Sequence, residues 1–301
     1  MTAGDDYEVL LAVIDHGSLT AAARSLGRSL QAVSRSLQAV SRSLASIEQQ
    51  LNVSLFTRTT RRVHPTASCL AFASRIRPAL REIHSARDEL IEQNVQLRGA
   101  IRIAAPSSFG VQYVVPSVTA FMGIHAGVSV ELLFSEKHVD LAGEGIDLAV
   151  RLGSLPDSNL RARRVTEFRR VLFAAPEYLA THGHLTDPSD LAKHECILRK
   201  DPLREVWDFG ADGRSVEVHG RLRANDADAC NMAAAAGHGI ARAPLWQVRS
   251  LVDSGAVEVV LAEFEPKPVP VHLVWVAGRS LPRRVRALID FLAERITAQD
   301  L

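Results

Sequence analysis

Gln31, Ser34 and Arg35 recur seven residues later as Gln38, Ser41 and Arg42, and Arg58, Arg61 and Arg62 follow soon after. Between Arg24 and Arg62 seven arginines face a single acid, Glu48, a local net of +6 in a chain whose net charge is +1. Such a short basic stretch suits a phosphate-lined groove, where arginines make the contacts and released counterions supply free energy. These nine residues are the candidate contacts to double-stranded DNA. The near-neutral remainder argues against a nucleic-acid coat over the whole surface, so the contact must be local.

A second set of residues suits a small ligand. Ser107 and Ser108 stand between a strand, Ile101 to Ala105, and a helical run carrying Val114, Val115, Val118 and Phe121. Free backbone N–H groups at such a turn favour a carboxylate or phosphate. Ser135 after Phe134, Arg151 and Gly153 after Val150, and Asn225 and Asp226 after Leu222 hold equivalent places. Open α/β sheets receive ligands at the carboxyl ends of their strands. Ordinary helix capping would also account for each serine and for Asp226.

Catalytic chemistry finds little support. Pro106 to Gly110 lacks the G-x-S-x-G elbow, and no histidine–acid pair stands at a recognisable spacing. Gly237-His238-Gly239 is a turn rather than a dinucleotide loop. His182, His184, His194 and Cys196 could in principle ligate zinc, but they fall in a helix end and a loop. No cofactor, no metal and no enzymatic activity are expected. Trp207, Trp246 and Trp275 are too dispersed for a stacking platform, and core packing accounts for them.

These residues need elements to hold them. Tyr7, Leu10, Leu11 and Ile14 predict a first helix ending near His16-Gly17. Leu19, Ala22, Ala23 and Leu26 predict a second, capped by Ser18 and closed by Gly27. A third helix follows at once, a helix-turn-helix signature. Within it Arg28 to Ser34 is repeated letter for letter as Arg35 to Ser41. Seven residues are about 1.9 helical turns, a phase slip of only ~20° and a lengthening of roughly 10 Å. The apolar seam Leu30, Val33, Leu37, Val40, Leu44, Ile47, Leu51 survives the repeat. A continuous helix of that length would draw its two flanking anchors apart.

Asn52 ends the long helix, and residues 53–63 suit a short two-stranded wing. Thr66 is placed to cap the next helix. There Cys69, Ala73, Ile76, Leu80, Ile83, Arg87, Leu90, Asn94 and Leu97 form a heptad seam that predicts at least a dimer, with Leu80 and Leu90 between chains. Pro78 is expected to kink or interrupt it. Beyond Gly99, strands at Ile101 to Ala105, Val128 to Phe134 and Asp147 to Leu152 alternate with helical runs, the pattern of parallel α/β sheets.

The combination A-A-R-S-L, A-V-S-R, L-N-V-S-L-F-T-R and T-T-R-R resembles the amino-terminal domain of LysR-type transcriptional regulators. Residues 141–153 (L-A-G-E-G-I-D-L-A-V-R-L-G), Ala174 to Leu179 and the run ending at Cys196 resemble that family's effector domain. The resemblance implies a second helix in the DNA major groove and a wing over Leu55 to Val63. It further implies a linker helix that dimerises, and two α/β subdomains folded like periplasmic binding proteins with a ligand cleft between them. The upstream motif is in family register with Ala32-Val33-Ser34 and the downstream one with Ala39-Val40-Ser41, so seven residues look inserted.

The expected fold class is therefore α+α/β. A winged helix-turn-helix covers residues 1–65, a linker and dimerisation helix 66–98, and an effector-binding domain 99–301. Subdomain I of that domain is about 99–166 with 271–301, and subdomain II about 167–270. The expected function is a DNA-binding transcriptional regulator modulated by a small molecule, with its DNA binding altered by the duplication. The alternative is a small-molecule-binding protein that has lost DNA binding. Partners implied are promoter DNA, an effector, a second or further copies of the chain in a homodimer or homotetramer, and RNA polymerase. Three widely spaced cysteines, Cys69, Cys196 and Cys230, make no disulfide framework, and the amino terminus is acidic without an apolar leader. No apolar run approaches ~18 residues, so a membrane span is not expected and the cytoplasm is the simplest home.

Overall fold

The computed structural model describes residues 3–25, 42, 44–58, 63–91, 96–136, 139–199, 204–210, 214–277, 281–299 and 301. Gly27 and both heptapeptide copies lie outside the described residues. The chain divides into two compact units, one of Met1–Ala105, Val118–Ala149 and Trp275–Ile289, the other of Pro106–Ser117, Val150–Val274 and Asp290–Leu301.

The first unit begins with α1, Ala3–His16. Gly17 at φ +64° turns the chain, a conformation that costs glycine little. Ser18 Oγ then accepts the Ala21 N–H at 3.1 Å and starts α2, Leu19–Ser25. Residues 44–51 form α3, and Arg42 is helical too. Asn52, at φ +50°, takes the left-handed conformation that ends α3. An antiparallel hairpin follows, β1 Phe56–Arg58 with β2 Val63–Pro65, pairing Phe56 with Pro65, Thr57 with His64 and Arg58 with Val63. Thr66 Oγ1 accepts the Cys69 N–H at 3.2 Å and opens α4, Ala67–Ile91.

One core holds this head together: Val9, Leu10 and Val13 from α1, Ala22 from α2, Leu44 and Ile47 from α3, Leu55 and Phe56 entering the wing, and Cys69 from α4. Both flanks of the repeat therefore meet the described part of α3 in the same core. Helix α4 is not interrupted at Pro78. A proline removes one backbone donor, but this part of the helix is held from outside. Tyr7 packs edge-on against Phe72, centroids 5.9 Å apart, and Arg77 pairs with Asp15 at 2.6 Å. Leu80, expected between chains, is already buried by its own chain at 6% exposure, whereas Ile83 is 61% exposed. The lower half of the seam thus covers the head, and its upper half begins at Ile83.

Strands β3, Arg98–Ala105, and β4, Gly127–Phe134, pair in parallel along their full length, from Arg98 with Gly127 to Ala105 with Phe134. Arg102 faces Glu131 in that register, and its Nε lies 2.7 Å from the carboxylate. Ile101, Ile103, Ala104 and Ala105 are all buried, as in a strand covered on both faces.

After β3 in the chain a short helix, α5 Ser107–Phe109, widens into a π-helical turn at Gly110–Val114 and continues as α6, Val115–Ile124. Strand β5, Leu148–Leu152, pairs in parallel with β3. Next come β6 Leu160–Phe168, β7 Arg170–Ala174, α7 Pro176–His182 and the hairpin of β8 Arg204–Phe209 with β9 Arg214–His219. Then follow α8 Ala227–Ala235, β10 Ala241–Pro244, α9 Leu245–Asp253, β11 Glu258–Val260, β12 Val269–Val276 and α10 Arg283–Thr297. The five-stranded sheet has the order β4-β3-β5-β12-β6, and a three-stranded antiparallel sheet the order β10-β7-β11.

Strand β7 shows why the smaller sheet has two cores. Its side chains alternate in direction. Leu172 and Ala174 join Tyr178, Cys196 and Trp207 on one face; Val171 and Phe173 join Cys230, Ala234 and Val248 on the other.

Candidate functional site

In the head, Arg42 is helical and exposed just before α3, and Arg58 ends β1 opposite Val63. Gln31, Ser34, Arg35, Gln38, Ser41, Arg61 and Arg62 lie outside the described residues. What fixes the wing is an acid. Glu48 Oε1 accepts the backbone N–H of Leu55 at 2.8 Å and of Phe56 at 3.2 Å. Thr66 adds two ties, its N–H to Leu55 O at 2.9 Å and its hydroxyl to Ser54 O at 3.1 Å. Thr57 Oγ1 donates to His64 O at 3.2 Å across the hairpin. From sequence Glu48 stood out only as the lone acid of a basic stretch; its target, two amides seven and eight residues on, has no spacing signal.

In the α/β part, the sequence-derived residues fall at strand ends. Ser107 and Ser108 follow β3, where Pro106, at φ −59° and ψ 140°, takes the N-cap position and makes no side-chain cap bond. Neither serine is that helix's N-cap; Ser107 is its first residue and is exposed, and Ser108 is half-buried. Ser135 follows β4 and donates its N–H to Ala105 O at 3.0 Å. Arg151 lies near the end of β5, half-buried, and burial holds its guanidinium below the ordinary arginine value. Gly153 adopts φ +93° and donates its N–H to Pro270 O at 2.8 Å. Ser107 and Ser108 thus follow β3, Ser135 follows β4, and Arg151 with Gly153 lie at the end of β5. Asn225 and Asp226 stand elsewhere, at the start of α8, where the Asp226 carboxylate accepts the Ala229 N–H at 2.9 Å.

The tryptophans do more than their dispersal in sequence suggests. Trp246, 5% exposed, meets Phe109, Tyr113 and Phe168 at centroid distances of 5.6, 5.5 and 6.3 Å, each nearly edge-on. Its buried indole N–H finds no acceptor among the described residues. Four separate elements supply these rings, so no periodicity could announce them. Trp207, in the core with Leu172 and Ala174, lies under the Arg242 guanidinium at 5.1 Å.

Two of the four possible zinc ligands converge on a tyrosine instead. His182 stacks on the Tyr178 ring at 4.2 Å, and His194 Nδ1 lies 3.3 Å from the Tyr178 hydroxyl. Among the described residues no three His, Cys, Asp or Glu side chains are placed to hold a metal ion. All three cysteines are buried and free. Burial pushes Cys69 up to about 11 and Cys196 up to about 12, and raises Cys230, so none is a ready thiolate. Gly237-His238-Gly239 is a turn: Gly239 at φ +141° lies so close to Glu195 that an added Cβ would come within 2.4 Å of its carbonyl oxygen.

A helix-turn-helix head with a wing, a long linker helix and a carboxyl-terminal α/β ligand-binding region define a ligand-responsive DNA-binding protein. The LysR substrate binding domain matches residues 94–297, and the bacterial regulatory helix-turn-helix of the lysR family matches 5–39 and again 36–70. The chain belongs to the LysR family and is a transcriptional regulator of that type. It is 31% identical over 299 residues to an HTH-type transcriptional regulator of Xanthomonas campestris, covering 97% of this chain and 85% of that one. It is 30% identical over 292 residues to the HTH-type transcriptional activator AaeR of Escherichia coli, covering 95% and 91%. The structure of CrgA, a LysR-type transcriptional regulator from Neisseria meningitidis, superposes with a TM-score of 0.61 at 26% identity over 98% of this chain and 99% of that one. Regulators of this type bind DNA and small-molecule effectors and are oligomeric. No described helix is long and apolar enough to cross a membrane.

Proposed function

We propose that the chain binds a specific operator in double-stranded DNA and that a small-molecule effector modulates this binding. The observation that carries the reading is the single head core, which ties α1, α2, α3 and the wing together while Arg42 stays exposed. The contacts are Gln31, Ser34, Arg35, Gln38, Ser41, Arg42, Arg58, Arg61 and Arg62. The effector is held by Ser107, Ser108, Ser135, Arg151, Gly153, Asn225 and Asp226. Residues 1–65 form the DNA-binding domain, 66–98 the linker and 99–301 the effector domain, split as about 99–166 with 271–301 and about 167–270. The upper half of α4 joins copies into a homodimer or homotetramer, and bound at a promoter the assembly addresses RNA polymerase. The compartment is the cytoplasm.

The heptapeptide duplication alters DNA binding in this reading. The helix-turn-helix model matches in two stretches that overlap at 36–39, inside the second copy, as a seven-residue insertion would make it do. The same observation favours a second reading, a small-molecule-binding protein whose DNA binding is lost. Selecting DNA from a random pool with the parent and with a variant lacking Arg35 to Ser41 separates the two. The deletion is expected to raise operator affinity about tenfold, the size of one or two restored charged contacts, with effector affinity unchanged. DNA retained by the deletion variant alone would establish the second reading. Equal affinity and equal salt slope would make the extra residues silent.

A further inference from the structure

Within the basic stretch from Arg24 to Arg62 the sequence places one acid, Glu48, and a polyanion would be repelled by a carboxylate on the same face. Glu48 is half-buried and points its Oε1 at the Leu55 and Phe56 amides, 2.8 and 3.2 Å away. Those two residues are the last before and the first within β1. The Val53 N–H also donates to Glu48 O at 3.2 Å, so side chain and main chain of one residue hold the whole exit from α3. A carboxylate accepting two amides makes charge-assisted bonds, stronger than those of a neutral acceptor.

Resting on the DNA-binding reading above, we propose that Glu48 is a positioning residue for DNA recognition, clipping the wing to α3 and so holding the exposed Arg42 at a set distance from the wing. Arg42, itself helical, lies six residues before Glu48, about 9 Å along a helix axis, and tying Glu48 to the wing sets that spacing. Leu44 and Ile47 share one core with Leu55 and Phe56 and with Leu10, Val13 and Ala22. Arg42 is then the arginine held for the groove.

Amide hydrogen exchange and DNA selection on the full chain test this together. In Glu48→Ala the Leu55 and Phe56 amides should exchange about tenfold faster or more, while the Val9, Leu10 and Val13 amides keep their protection. Affinity for DNA selected from a random pool by the parent should fall about tenfold, with a shallower salt slope as wing phosphate contacts are lost. Glu48→Gln keeps an acceptor oxygen in place and should recover most of both effects. Unchanged exchange at Leu55 and Phe56 would remove the clip. Faster exchange with parental affinity and salt slope would leave Glu48 a structural residue only and overturn its role in recognition. Arg42→Ala, at an exposed position outside the core, tests that role even where Glu48→Ala fails to fold, with Arg35→Ala measured beside it. A loss of about tenfold in the first and under about twofold in the second is expected, and the reverse order overturns the assignment. A parent that selects no DNA sinks the DNA-binding reading itself, and with it the role in recognition, while the exchange experiment still decides the clip.

Discussion

Arginine is put to different uses at the two ends of this chain. In the α/β region it is matched with acid: Arg102 with Glu131, Arg163 with Asp290, Arg169 with Glu265, Arg214 with Asp187 and Arg242 with Glu205. Where burial is deep the match is hard won. Desolvation, and then the neighbouring Arg170, bring Arg242 down to about 10 in spite of Glu205. Between Arg24 and Arg62 the proportion is seven arginines to one acid, and that acid is turned onto backbone amides. The contrast in sequence lies in how much acid accompanies the arginines, and in the proposed reading the basic stretch is reserved for a polyanionic partner.

The comparison can be broken first at the larger core. Trp246→Ala should cost the α/β region about 3–5 kcal/mol, the usual toll of deleting a large buried ring. Urea unfolding followed by amide exchange should show that loss in β7 and β10, with Val9, Leu10 and Val13 protected as before. Equal loosening of both regions would mean that the two cores do not stand separately.

A smaller effect is expected at the strand ends. Ser107→Ala should weaken the effector by about 1 kcal/mol, or roughly fivefold, with less change in stability. The probe is the small molecule that most raises the melting temperature of the parent in a screen, titrated by calorimetry. Identical isotherms for parent and variant would take Ser107 out of the site.

The smallest effect depends on pH. Burial holds His194 below its ordinary value of 6.5, with His182 adding a like-charge push. The unfolded chain therefore binds the proton more readily, so this group's contribution is present above about pH 6.5 and is lost as pH falls below it. Melting curves of the parent and of His194→Gln between pH 7.5 and 5.5 should converge as acid is added. Parallel curves would show that this histidine is not titrating out of a buried site.

Local patterns in the sequence were enough to find the head. The second helix with its buried Ala22, the Ser18 cap, Asn52 and the Thr66 cap all have counterparts in the fold, because each depends on neighbours a few residues away. The α/β alternation was legible for the same reason. Long-range features were not. Leu80 was placed between chains because a heptad seam does not say which of its turns its own domain covers. Pro78 was expected to disturb α4 because its effect depends on contacts such as Arg77 with Asp15, 62 residues away in the chain. Phe109, Tyr113, Phe168 and Trp246 meet only through the fold, and the π-helical turn at Gly110 has no composition that betrays it.

The alternation of β7 has a consequence for oxidative damage. Cys196 belongs with Leu172 and Ala174, Cys230 with Val171 and Phe173, so a layer of main chain stands between the two sulfurs. A disulfide needs Cβ atoms within about 4.5 Å, and none can close across an intact sheet. Peroxide thus meets no Cys196–Cys230 pair to crosslink in the folded carboxyl region, and that disulfide must wait until the sheet itself has opened.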